Sequence, residues 1–241
     1  MDSPSDPDRP TLETPAVRRL VQALSPAWQA TDLGGAMSLN VLLDAEGLVL
    51  RVHQPFVSRR RLLALQRLRQ RLAEAGLLVA EPVAWQGAPL LRCGKRWAEL
   101  ERHVPHQRLP PTWETYRWLF TAMGTLHRAL RSADVSVPRP LVATYAPPRS
   151  LRRWLPITEA AVHSDPEAAQ GARLLRASVE ALQRQWISAT ALPVQLIHGD
   201  ISPRNVGQST DGRPIYLDFG FCAQRPRIHD LAYALAVMLL A

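Results

Sequence analysis

Three short elements carry side chains that could do chemistry together: His198-Gly199-Asp200, then Asn205, then Asp218-Phe219-Gly220. Between the last two lies Asp211-Gly212, flanked by the β-prone stretches Val206-Gly207 and Ile215-Tyr216-Leu217. An Asp-Gly pair in that setting is a strong hairpin signal. With a two-residue turn, Asn205 falls opposite Asp218, with α-carbons about 4.5–5.5 Å apart. The hairpin then brings an amide oxygen and a carboxylate to one end of one ladder, with Asp200 in the loop before it. Such oxygen ligands suit Mg²⁺, which binds through one or two carboxylates plus substrate phosphates. Asp200 is placed to accept a proton from a substrate hydroxyl, or to orient that hydroxyl. Charge offset by a metal and a positioned nucleophile are what phosphoryl transfer requires. A buried polar network around an ordinary hairpin is the plain alternative, and it leaves the convergence of three oxygen-bearing side chains unexplained.

These groups need a scaffold, and the pattern predicts one. Residues 1–14 read as a disordered tail, followed by a helix from Thr14 to Leu24. Gly34 to Val52 reads as a β-hairpin: Leu39, Val41 and Leu43 alternate on one strand, Leu48, Leu50 and Val52 on the next. Asp44 to Gly47 supplies the turn, and pairing Leu43 with Leu48 sets Asn40 opposite Arg51. Residues 57–75 predict an amphipathic helix on Leu62, Leu65, Leu68 and Leu72, closed by Gly76. Its arginines, Arg61, Arg67 and Arg69 among them, read as a solvated surface. Three strands follow between Pro82 and Val104. Beyond Pro110-Pro111 a helical stripe runs through Tyr116, Leu119, Met123, Leu126 and Leu130. The proline-rich segment Val135 to Pro156 reads as a break, and another helix covers Pro166 to Trp186.

Composition bounds the class. The 241 residues are 46% hydrophobic and 21% charged, a globular profile. Cys93 and Cys222 are too few for a disulfide framework. Met1 to Pro10 lacks the apolar core of a signal peptide. No apolar run is long enough to span a bilayer, so a cytoplasmic enzyme without membrane partners is expected. The net charge is +8, with a pI of about 10.6. That balance favours anionic partners. However, Lys95 is the lone lysine and the arginines are dispersed, a skew that looks like codon bias. No recognition motif raises a nucleic-acid reading, so no specific nucleic acid is expected.

The stretch from His198 to Ala232 resembles the aminoglycoside phosphotransferase and choline kinase family of small-molecule kinases. That family is similar to the protein kinases in fold but carries His-Gly-Asp where they carry His-Arg-Asp. The resemblance implies Asp200 as the catalytic aspartate and Asn205 and Asp218 as magnesium ligands. It implies His198 as a loop-shaping residue, and Asp230, in Asp230-Leu231-Ala232, as the brace of the catalytic loop. Gly34-Gly35 resembles the family's nucleotide loop, and a plain turn is the equal alternative. Arg51 sits where a kinase phosphate-binding lysine would lie, and guanidinium matches phosphate oxygens. An exposed strand arginine is its alternative. Glu99-Leu100-Glu101 resembles the hinge, where main-chain groups of Glu99 and Leu100 would pair with adenine. Leu126-His127 resembles the Leu-His of the first large-lobe helix, with His127 structural.

The implied architecture is a two-lobed, protein-kinase-like α+β fold. Residues 15–104 form the small nucleotide-binding sheet lobe, and 105–241 form a mainly helical catalytic lobe. The implied cofactors are ATP and Mg²⁺, and the partner is a small-molecule acceptor. Two departures stand out. The helix after Arg51 offers Gln66 mid-way and only Glu74 at its end, so Arg51 is either unpaired or held by Glu74. The chain also ends inside an apolar helical run, Leu231 to Ala241, as if the family's last helices were missing. A truncated relic or regulator that binds nucleotide without catalysis, and a basic nucleic-acid-binding protein, are the rival readings. Acceptor and oligomeric state are not legible.

Overall fold

The structure, a computed structural model, describes residues 9–25 and 30–240. The small lobe is built from α1 (Pro15–Leu24), β1 (Ala30–Asp32), β2 (Leu39–Leu43), β3 (Leu48–Val52), α2 (Arg59–Glu74), β4 (Leu78–Val79), β5 (Pro82–Val83), β6 (Leu91–Cys93) and β7 (Arg96–Arg102). Its sheet runs β1-β2-β3-β7-β5, with β6 pairing β7. Leu43 pairs with Leu48 and Asn40 with Arg51, as the alternation predicts. Leu39, Val41, Leu43, Leu50 and Val52 are buried against Val17, Val21 and Leu24 of α1. Of the tail expected at 1–14, residues 1–8 lie outside the described residues. Arg9 is packed, its guanidinium 2.7 Å from Asp32 Oδ1.

The Ser58 hydroxyl caps α2 by accepting from Arg61 N–H. Gly76, at φ +83, follows its end. The leucines of α2 turn inward, but so do two of its arginines. Arg61 and Arg69 are each only 5% exposed, which corrects the reading of this helix's arginines as solvated. Arg61 reaches across to the other lobe and donates to the carbonyls of Pro138, Gly220 (2.7 Å) and Cys222 (2.9 Å).

The large lobe contains α3 (Trp113–Ser132), α4 (Pro148–Val162), α5 (Pro166–Arg184), β8 (Val194–Ile197), β9 (Val206–Gln208), β10 (Pro214–Tyr216), β11 (Ala223–Pro226) and α6 (Ile228–Leu240). The proline-rich stretch expected as a break is non-helical up to Pro147, but from Pro148 it becomes α4. Pro148 occupies its first turn, where no N–H is needed, and Pro156 sits on its exposed face, where the carbonyl it frees can meet water. β9 and β10 form an antiparallel hairpin, and β4 joins β10 in parallel. β8 pairs with β11. One apolar cluster joins Leu65, Leu68 and Leu72 of α2 to Tyr116, Leu119 and Leu126 of α3 and to Tyr216 and Phe219. The lobes are therefore tied by α2, β4 and this shared core. On α6, Leu231 and Met238 pack against the cluster, whereas Leu239 is 81% exposed. Among the described residues, no helix is long and apolar enough to cross a membrane.

Candidate active site

The loop from His198 to Asn205 connects β8 to β9. Asp230, in the first turn of α6 and fully buried, accepts from the N–H groups of His198 (3.0 Å) and Gly199 (2.7 Å) and contacts His127 Nε2 at 2.8 Å. One buried carboxylate thus holds two consecutive loop amides and a helix histidine. His198 is fully buried, with Nε2 2.8 Å from Leu217 O and Nδ1 3.3 Å from Asp200 N. Those partners fit the ring tautomer protonated at Nε2, and through them His198 stitches the loop to the hairpin.

Gly199 takes φ +84, and a Cβ there would lie 2.5 Å from Phe221 O. Both the left-handed backbone and the contact with main chain exclude a side chain. Gly199→Ala is expected to lower the melting temperature by several degrees, given roughly 1–2 kcal/mol of left-handed strain alone. Turnover should fall at least about tenfold, since a misplacement near 1 Å can cost about a hundredfold. A variant with wild-type melting and turnover would contradict this account of the loop.

Asp200 emerges from this braced loop. Asn205 Nδ2 donates to both its backbone oxygen and its Oδ2, each at 2.8 Å. Burial raises the Asp200 carboxyl pKa, and the Asp218 charge adds to the rise, against the hydrogen bonds of Tyr233 and Asn205.

The hairpin register differs from the expected one. The loop closes over Thr210 to Gly212, with Ser209 N–H donating to Arg213 O at 3.0 Å and Gly212 at φ +82. Ser209 Oγ also accepts from Arg213 N–H at 3.0 Å, which favours this longer turn over a two-residue one. Val206 therefore pairs with Tyr216, and Asn205 O accepts from Leu217 N–H at 2.9 Å. Asn205 lies opposite Leu217, and Asp218 is one step further on. Asp218 leaves the ladder in a left-handed conformation (φ 53, ψ 70) and caps the turn that follows through Gly220 N–H at 3.1 Å.

Its other partner is Arg51, whose guanidinium lies 2.6 Å from Asp218 Oδ1. Arg51 is thus neither unpaired nor held by Glu74, which pairs with Arg71 on the surface at 2.8 Å. Burial alone would raise the Asp218 pKa, but the Arg51 charge and hydrogen bond hold it below the ordinary carboxylate range. Arg51 Nε is buried and has no partner among the described residues.

Behind Arg51 stands a charge network that sequence reasoning missed. Glu99 pairs with Arg51 across the β3–β7 ladder. Arg69 of α2 bridges the carboxylates of Glu99 and Glu101. Glu99 also contacts His53 Nε2 at 3.0 Å and accepts from Gln66 Nε2 at 2.9 Å. Burial opposes its ionisation, but Arg69, His53 and Gln66 together pull its pKa down. A signal was present: Arg61 and Arg69 share the helix face of Leu65, Leu68 and Leu72, at spacings of three and four.

The side chain of Glu99 is consumed by this network. The main chain of Glu99 and Leu100 runs inside β7, between β3 on one side and β5 and β6 on the other. Among the described residues, the main chain where the hinge was expected is thus paired with neighbouring strands. The connection leaving the sheet is 103–107, pinned by His103 N to Gly47 O (3.0 Å) and by Gln107 N to Gln208 O (2.9 Å).

Gly34 and Gly35 follow β1 with φ +84 and +121. Asn40 Nδ2 donates to Gly34 O at 2.8 Å, and Asp32 Oδ1 accepts from Gly34 N–H at 2.8 Å. A Cβ at Gly35 would lie 2.7 Å from Asn40 Nδ2. The loop is a held turn at the edge of the same sheet that carries Arg51.

The residues present fit a hard cation. Asn205 spends only its amide hydrogens on Asp200, which leaves its side-chain oxygen without a hydrogen-bond partner among the described residues. Asp218 engages Arg51 and Gly220 through Oδ1, and its carboxylate stays 34% exposed. Among the described residues, no group of three or more His, Cys, Asp or Glu could hold a metal. An ion bound by Asn205 and Asp218 would thus need water or substrate oxygens to complete its shell, the habit of Mg²⁺.

Residues 29–239 match the profile of the APH phosphotransferase enzyme family. No curated protein matches the sequence. Among solved structures, the chain is similar to an amicoumacin kinase in complex with AMP-PNP, Ca²⁺ and Ami (TM-score 0.67, 18% identity, 95% of this chain and 70% of that one). It is also similar to choline kinase LicA from Streptococcus pneumoniae (TM-score 0.57, 13% identity, 93% and 75%). An aminoglycoside phosphotransferase from Alicyclobacillus acidocaldarius gives a TM-score of 0.56 at 16% identity, over 87% and 67% of the two chains. At such identities these structures establish the shared fold, that of a small sheet lobe on a mainly helical lobe.

Proposed function

This chain belongs to the APH phosphotransferase enzyme family, and from that premise we propose that it transfers the γ-phosphoryl group of ATP to a hydroxyl of a small molecule. The observation that carries the reading is the meeting of Asp200, Asn205, Asp218 and Arg51 around one end of the β9–β10 hairpin. Adenine would lie against the 103–107 connection rather than at Glu99 and Leu100. The phosphates would lie under Gly34 and Gly35. Arg51 would turn from Asp218 to the phosphates, offering them its guanidinium, including the unpartnered Nε.

Asn205 Oδ1 and the Asp218 carboxylate are the groups that would hold Mg²⁺, which when bound offsets phosphate charge. Asp200 would accept the acceptor's hydroxyl proton while that oxygen bonds to the γ-phosphorus. The bond from the γ-phosphorus to the β-bridging oxygen breaks, and ADP leaves. Asn205 fixes the Asp200 carboxylate for this step, and the Asp230 brace fixes the loop.

The test is ADP release from Mg²⁺-ATP over a panel of hydroxylated metabolites, with Asp218→Ala beside the wild type. Acceptor-dependent turnover should appear and should fall at least about a hundredfold in the variant, the scale of losing one electrostatic stabiliser. Undiminished turnover in Asp218→Ala would remove the assignment.

A further inference from the structure

Beside the catalytic loop lies a cavity of about 280 Å³, lined by Gly199, Tyr145, Trp186, Arg225, His229 and Tyr233 together with Phe221, Thr144 and aliphatic side chains. It opens next to Asp200: Gly199 precedes that residue, and the Tyr233 hydroxyl interacts with its carboxylate. Its wall is aromatic. Tyr145 stacks on His229 (centroids 3.9 Å apart, planes 22°) and on Trp186 (5.9 Å, 27°). The Arg225 guanidinium lies over the Tyr145 ring, 4.8 Å from its centroid.

None of the residues lining the cavity is acidic. Arg225 forms no ion pair among the described residues, and burial together with the charge of Arg139 lowers its pKa. A guanidinium stacked by its face keeps its edge donors free, and that planar fork matches a carboxylate. Burial also lowers the pKa of His229, with Arg225 adding to the effect, so at neutral pH this ring is uncharged. Its Nδ1 has no hydrogen-bond partner among the described residues. An ammonium entering the cavity would leave water to face a guanidinium. Asp200, beside the cavity, is engaged by Asn205 and Tyr233, and the buried Asp230 is spent on His127 and two loop amides.

We propose that this cavity is the acceptor subsite and that it selects a hydroxylated compound with a flat apolar body and a carboxylate, against polyamines. The ring would stack within the Tyr145, Trp186 and His229 wall. The carboxylate would sit on Arg225, and the hydroxyl would reach towards Asp200. This rests on the phosphotransferase reading for the role of Asp200, but the recognition chemistry stands apart from turnover.

The experiment uses three matched probes: 4-(hydroxymethyl)benzoate, 4-(hydroxymethyl)benzamide and 4-(hydroxymethyl)benzylamine. Their dissociation constants are measured by calorimetry on the full chain with Mg²⁺ and a non-hydrolysable ATP analogue. The benzoate should bind at least about tenfold more tightly than the benzylamine, the equivalent of about 1.4 kcal/mol, with the benzamide between them. In Arg225→Gln the ratio of benzoate to benzylamine affinity should collapse to within about twofold, because the charge that sets it is gone. Equal or tighter benzylamine binding by the wild type overturns the proposal. So does a ratio unchanged in Arg225→Gln, and so does failure of all three probes to bind at millimolar concentration. Benzoate binding in the expected order with no phosphoryl transfer counts against the phosphotransferase reading instead.

Discussion

Asp200→Ala is expected to reduce acceptor-dependent turnover by about 10²–10⁴-fold, the range for removing a positioned acid or base. Nucleotide binding should survive, because Asp200 touches neither the glycine loop nor Arg51 among the described contacts. A purely structural residue would give a different signature. Burial raises the Asp200 pKa, so the folded state binds the protonated form better than the unfolded chain does. Its favourable contribution is complete below the unfolded pKa and is lost as the pH rises through the higher folded value. At neutral pH the ionised carboxylate is carried at a cost. Asp200→Asn keeps the shape without the charge, so it should melt at or above the wild-type temperature at pH 8. That gap should narrow as the pH falls. A variant that melts well below the wild type, or that turns over normally, would contradict a catalytic role.

Arg69→Ala is expected to destabilise the chain by about 3–5 kcal/mol, because it leaves two buried carboxylates without their counter-charge. For a chain of this size that is a fall of roughly 6–20 °C in melting temperature. Glu99 and Glu101 are 3% and 8% exposed, so water cannot replace the guanidinium. Adding Glu99→Gln and Glu101→Gln to Arg69→Ala should recover much of the loss. Neutral amides cost less to bury than unpaired carboxylates. Arg69→Lys should recover less, because one ammonium does not present the forked donors that span both partners. Nucleotide affinity should also drop in Arg69→Ala, since the freed glutamates compete with phosphate for Arg51. Normal melting of Arg69→Ala would mean that the network is not holding the lobe.

The legible parts of this molecule are those written in local pattern. The β2–β3 register follows from strict alternation in 39–43 and 48–52, and it sets Asn40 opposite Arg51. The motifs around His198, Asn205 and Asp218 identified the family for the same reason, since each depends on neighbours within a short stretch. The hairpin turn is one residue longer than Asp211-Gly212 alone predicts, because that pair also fits a longer loop once Ser209 contributes its hydroxyl. The main chain of Glu99 and Leu100, expected as a hinge, lies within the sheet: nothing in Glu99-Leu100-Glu101 reveals that β7 continues to Arg102 with partners on both sides. The partners of Arg69 and of Arg225 come from segments far apart in the chain. Pair contacts of that kind leave no periodicity behind, although the inward position of Arg69 itself did.

The contact between Arg51 and Asp218 has a bearing on the order of events at the site. In this arrangement the carboxylate already has its counter-ion, so a free divalent cation would have to compete with a guanidinium for it. A nucleotide's phosphates would draw that guanidinium away and leave the carboxylate vacant for the cation. Arrival of the anion and arrival of the metal then reinforce each other, and by linkage each raises the affinity of the other by the same factor. Under the proposed function, metal and nucleotide enter as a couple, and the resting site keeps its charges neutralised until they do.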